Sequence, residues 1–130
     1  MNKSKRSTEK SSQQITEKYF RFLEKHIAEV VSQRVNEFME INQIAKDLHV
    51  SHKHLTETIQ KETGNHPCYF YDQRIIEEAK RMLVETNISV AEIARIMTYD
   101  PSNFSKFFKK FVGQTPSKYR DNSKLKNIWY

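Results

Sequence analysis

Residues 93–119 read IARIMTYDPSNFSKFFKKFVGQTPSKY, and they lie without a gap over residues 44–70, IAKDLHVSHKHLTETIQKETGNHPCYF, at an offset of 49. Five of the 27 positions are identical: Ile44/Ile93, Ala45/Ala94, Lys61/Lys110, Gly64/Gly113 and Pro67/Pro116. The apolar skeleton follows the same register through Leu48/Met97, Val50/Tyr99, Leu55/Phe104, Ile59/Phe108 and Phe70/Tyr119. The chain has only two glycines, and both occupy one repeat position. A supersecondary unit has been used twice, and two copies are too few for a solenoid, which needs about three.

Helix boundaries fall in the same register. Ser89-Val90-Ala91-Glu92 reads as a capping box, with Ile88 and Ile93 as its hydrophobic staple. Met39 and Ile44 supply the staple of the first copy, where Glu40 makes a weaker cap. The next helix starts at Ser51 in one copy and Asp100 in the other, with Pro101 at a first-turn position that needs no N–H. Gly64 and Gly113 stand where that helix must stop. Each copy is therefore a short helix, a tight turn and a second helix of about twelve residues, the pattern of a helix-turn-helix. The turn of such a unit usually holds a glycine; here His49 and Thr98 occupy it.

Working outward, Tyr19, Phe22, Leu23, Ile27, Val30 and Val31 form the stripe of an amphipathic helix over residues 13–34. Nothing polar converges on that stripe, so it reads as core. A second stripe, Phe70, Ile75, Ile76, Ala79, Met82 and Leu83, predicts a long helix opened by Pro67. No segment alternates with period two. The expected fold is all-α: two helix-turn-helix units joined by a long linker helix, a homeodomain-like pair. The expected division is a disordered basic leader (1–12), a long helix with the first unit (13–66), the linker helix (67–86), the second unit (87–120) and a basic, aromatic tail (121–130).

Composition narrows the function classes. In 130 residues, two glycines and three prolines are too few for the frequent turns of a β-sandwich or barrel. A single cysteine forms no intramolecular disulfide, which fits a reducing compartment. The apolar runs fall far short of the roughly 20 residues of a membrane span. The basic start lacks the apolar stretch of a secretory signal, and the expected location is the cytoplasm. A net charge of +6 points to a polyanionic partner. Its distribution is uneven: residues 1–12 and 118–130 each carry +3, and the stretch between sums to zero. Inside that stretch, Arg95, Lys106, Lys109 and Lys110 face only Asp100 across residues 93–117.

From Phe38 to Arg120 the residues resemble the DNA-binding domain of the AraC/XylS family of bacterial transcription regulators. The second copy carries most of the likeness, from Ile93-Ala94 through Phe104-Ser105-Lys106-Phe107-Phe108-Lys109-Lys110-Phe111 to Gly113-Gln114-Thr115-Pro116-Ser117-Lys118-Tyr119-Arg120. Pro67, Phe70, Arg74, Ala79, Met82 and Leu83 match the family's linker helix. The turn Met97-Thr98-Tyr99-Asp100 departs from the family pattern by one residue. The resemblance implies seven helices and sequence-specific binding to double-stranded DNA, with RNA polymerase a further candidate partner. A linker over 67–84 would be roughly 27 Å long at 1.5 Å per residue. That compares with about 34–36 Å between successive major-groove entries, so one monomer could serve two grooves. The length of the first helix leaves room for a dimer contact.

In such a unit the start of the second helix meets base edges. The candidate readers are His52, Lys53, Thr56, Glu57 and Gln60 in the first unit, and Ser102, Asn103, Ser105 and Lys106 in the second. Lys53 or Lys106 suits guanine O6/N7, Asn103 suits adenine, and Glu57 can accept from cytosine N4. Ser51, Lys61, Arg74, Lys109 and Lys110 are candidates for phosphates. Phe104, Phe108 and Phe111 follow a core stripe, which argues against base-stacking platforms.

Rival classes are weaker. Cys68 and His66 lie close in sequence but make no nucleophile–base pair, and no enzyme is expected. His49, His52 and His54 lack the spacing of a metal site, so neither metal nor cofactor is expected. The alternatives are a protein-interaction module that retains the fold and a DNA-binding fragment of a longer sensor-regulator.

Overall fold

The computed structural model describes the backbone of residues 2–128 and the side chains of residues 11–124. Among the described residues the chain forms helices and no strand: α1 (Asn2–Val31), α2 (Ile41–Asp47), α3 (His52–Thr63), α4 (Pro67–Glu85), α5 (Val90–Ile96), α6 (Pro101–Val112) and α7 (Pro116–Ile128). They divide into two compact units. The first takes the chain up to Ala28 with Phe38–Asp72; the second takes Glu29–Glu37 with the chain from Gln73 onward.

Three boundaries differ from those read in the sequence. Residues 2–12, set apart as a leader, belong to the backbone of α1. They contain no glycine or proline and are rich in Lys, Glu and Gln, all good helix formers. At its other end α1 stops at Val31 rather than Arg34, because Gln33 turns into the left-handed region at φ 65°. Residues 121–128 likewise continue α7. The side chains of residues 1–10 and 125–130, including the tail's aromatic pair, lie outside the described residues.

In the first unit Tyr19, Leu23, Ile27, Ile44, Ala45, Leu55, Ile59 and Tyr71 are buried. Polar groups do converge on the α1 stripe, contrary to the sequence reading, and they hold backbone. The Tyr19 hydroxyl donates to the Pro67 carbonyl at 2.7 Å. Met39 is gripped on both sides of its peptide: its N–H donates to His26 Nε2 at 2.9 Å, and its carbonyl accepts from the Tyr71 hydroxyl at 2.9 Å. His26 is buried between Phe22, Phe38 and Tyr71. These bonds fix the start of the first helix-turn-helix to α1 and α4.

In the second unit Ile93, Ala94, Met97, Phe104 and Phe108 are fully enclosed. Phe108 lies edge-on to Tyr119, with centroids 5.6 Å apart. Arg120 of α7 donates to the carbonyls of Leu83 (2.9 Å) and Thr86 (3.4 Å), placing a cation on the negative end of α4. Phe111 corrects the expected core stripe: it is 39% exposed, beside a half-buried Phe107 that stacks on Tyr99.

The two turns are built alike, bond for bond. Leu48, His49 and Val50 donate to the carbonyls of Ile44, Lys46 and Ala45; Met97, Thr98 and Tyr99 donate to those of Ile93, Arg95 and Ala94. His49 (φ 60°) and Thr98 (φ 62°) both take the left-handed conformation usually given to glycine. For a β-branched residue this costs about 1–2 kcal/mol, partly offset by the chain entropy a glycine would lose. Thr98→Gly is therefore expected to stabilise the protein by about 0.5–1 kcal/mol, read as a higher urea midpoint. An unchanged or lower midpoint would mean that the threonine side chain offsets its own strain.

Candidate nucleic-acid interface

Both second helices are twelve residues long and begin and end in the same way. Ser51 Oγ accepts from the His54 N–H at 3.0 Å, and Asp100 Oδ2 accepts from the N–H groups of Ser102 (3.1 Å) and Asn103 (3.4 Å). Gly64 (φ 83°) and Gly113 (φ 88°) close them in the left-handed region. The one-residue departure in the second turn therefore leaves α6 in the register of α3, capped by Asp100 with Pro101 in its first turn.

Each helix buries one face and offers the opposite one. Leu55 and Ile59 go inward on α3, as do Phe104 and Phe108 on α6. The outward stripes, at i, i+4, i+7 and i+8, are Lys53, Glu57, Gln60 and Lys61 on α3, and Ser102, Lys106, Lys109 and Lys110 on α6. All eight are exposed. Thr56 and Ser105 are half-buried at the edge of their stripes. Asn103 is exposed beside its stripe, and the repeat pairs it with His54, also exposed. His54 was absent from the sequence-based reading set, although the offset of 49 was enough to find it. His52 is exposed but stands at the position of Pro101, off the stripe, where it lines an open hollow with Lys53, Thr56, Glu57 and His66.

Ser51 is exposed with its hydroxyl hydrogen free of the capping bond. Arg74 is half-buried on α4, a different element from either stripe. Lys53 Nζ lies 3.9 Å from Glu57 Oε1, so the first stripe partly neutralises itself. Among the described residues no carboxylate pairs with Lys106, Lys109 or Lys110. The second stripe is the more cationic.

Other chemistry finds little support in the geometry. His66 Nδ1 accepts from the backbone N–H of Cys68 at 3.1 Å, so the ring caps α4 instead of addressing the thiol. Partial burial pushes the Cys68 thiol up, and the charge of Asp72 adds to that, which disfavours the nucleophilic thiolate. Among the described residues no three His, Cys, Asp or Glu side chains gather into a metal-binding group. No described helix is long and apolar enough to cross a membrane.

A family model for a helix-turn-helix domain matches residues 44–122, more than half of the chain. The chain belongs to this helix-turn-helix family, of the AraC type. Members of the family similar to it include the bifunctional transcriptional activator/DNA repair enzyme AdaA of Bacillus subtilis, 28% identical over 104 residues. That alignment covers 79% of this chain and 49% of AdaA. The chain thus spans about half the length, or less, of the curated relatives it matches. Among solved structures, the C-terminal domain of AraT, a response regulator from Geobacillus stearothermophilus, superposes with a TM-score of 0.72 at 27% identity, covering 83% of this chain and 84% of that one. The DNA-binding domain of AdpA, solved with a target DNA, shares the AraC-type fold with a TM-score of 0.64 at 23% identity, over 78% of this chain and 95% of that one.

Proposed function

We propose that this helix-turn-helix chain is a sequence-specific transcription regulator of double-stranded DNA, using α3 and α6 as recognition helices in successive major grooves. The observation that carries the reading is the pair of outward stripes, equivalent in register on two capped helices. Family membership and the transcription regulators among its relatives support it. Lys106 donates to guanine O6/N7, Asn103 pairs with adenine, and Thr56, Gln60, Ser102 and Ser105 complete the base contacts with Lys53, Glu57, His52 and His54. Ser51, Lys61, Lys109, Lys110 and Arg74 hold phosphates. The work is binding, with no covalent step, and it is done in the cytoplasm by one copy per site. RNA polymerase is the proposed second partner.

Selection of bound duplexes from a random pool tests the reading. Two enriched blocks about ten base pairs apart are expected, one for each unit. A single block would remove one unit from the reading, and no retained duplex would remove DNA binding altogether. The selected site should also lose affinity with salt at a log–log slope of about −5 to −7, for roughly six to eight phosphates.

A further inference from the structure

The two stripes differ in charge at one register position. Glu57 stands on α3 where Lys106 stands on α6, and the next positions along are Gln60 and Lys109. The Lys53–Glu57 pair is largely exposed, 85% and 64% by side chain, so it is weak in the free protein. Its consequence appears when the stripe approaches a duplex. A carboxylate entering the major groove passes between phosphates and meets the acceptors of guanine (O6, N7), adenine (N7) and thymine (O4). Against these it loses hydration and gains no partner. Only the amino groups of cytosine (N4) and adenine (N6) donate to it there.

The caps sharpen the contrast. The reading end of α6 carries an acidic cap, whose carboxylate already occupies two backbone N–H groups, above a lysine-rich stripe. The reading end of α3 carries a neutral serine cap above a stripe holding the carboxylate. We infer that Glu57 is the residue by which the first unit rejects unmatched duplex: α6 holds DNA of any sequence, and α3 joins only where a base amino group meets Glu57. Specificity here comes from a cost imposed on wrong sequences as well as from a contact with the right one. This inference rests on the DNA-binding reading above.

The test compares the wild type, Glu57→Gln and Glu62→Gln on the selected site and on a scrambled duplex at 0.1 M salt. Glu62 is exposed on α3 but off the stripe, at the position of Phe111, so its variant matches the change in net charge. Glu57→Gln should tighten scrambled binding by about 5- to 10-fold and steepen its salt slope by about 1, as Lys53 becomes free to meet a phosphate. Its preference for the selected site should fall by roughly 10-fold or more. Glu62→Gln should leave that preference unchanged. Equal changes in both variants, or an unchanged preference in Glu57→Gln, would overturn the role of Glu57. Failure of the wild type to hold either duplex would instead overturn the DNA-binding reading itself.

Discussion

Replacing Lys106, Lys109 and Lys110 together by glutamine is expected to weaken duplex binding by about 10²–10³-fold at 0.1 M salt. Each lysine that neutralises a phosphate releases counterions worth about 0.9 in log–log slope, so the slope should shrink by about 2.7 if all three do so. All three are exposed on α6, and among the described residues no carboxylate competes for them. Because Lys106 is also a candidate base reader, the triple variant should lose proportionally more on the selected site than on scrambled DNA. The corresponding change on α3, Lys61→Gln, should cost far less, since that stripe sets two lysines against Glu57. Equal losses from the two helices would contradict the asymmetry. Titrations against both duplexes across a range of salt give every one of these numbers.

Phe108→Ala should cost about 3–5 kcal/mol of stability. The ring is fully buried against Phe104 and Tyr119, with centroids at 6.0 and 5.6 Å, and α6 is held to its neighbours through it. A small domain has only about 5–15 kcal/mol in total, so the loss should show as a large drop in urea midpoint. Phe111→Ala, three residues on, removes a ring that is 39% exposed and should cost about 1 kcal/mol or less. Similar losses from the two variants would place Phe111 in the core after all.

The fate of Phe111 shows what the sequence carries and what it leaves out. Counting i, i+4, i+7 from Phe104 puts Phe111 on the buried face, yet the same position in the other copy is the exposed Glu62. Comparing copies was more informative than counting turns, because the copies share backbone, caps and cover. The same comparison would have added His54 through its partner Asn103. It recovered the helix-turn-helix pair, the serine and aspartate caps and both closing glycines, all of which depend on local chemistry.

Features that depend on tertiary bonding were not legible. Glu40, judged a weak cap, has its own N–H held by Gln43 Oε1 at 3.1 Å, whereas Glu92 of the better-looking box directs its carboxylate to Arg95 at 2.8 Å. The buried His26 sits one residue from a core leucine–isoleucine stripe, and nothing in its spacing announces that it accepts a backbone N–H 13 residues away. Base contacts depend on a partner's geometry as well as on exposure, so the stripes narrow the set of readers without ranking its members.

The double grip on Met39 has a consequence for recognition rather than for stability alone. A peptide unit held on its N–H by one helix and on its carbonyl by another has little room to rotate, and it immediately precedes the first helix-turn-helix. The conformational freedom that α2 would otherwise surrender on docking is already lost when the chain folds. Binding then carries a smaller ordering penalty, about 0.5–1.5 kcal/mol for each flexible group immobilised in advance. A reader that arrives rigid also discriminates more sharply, because it cannot bend to fit a mismatched groove.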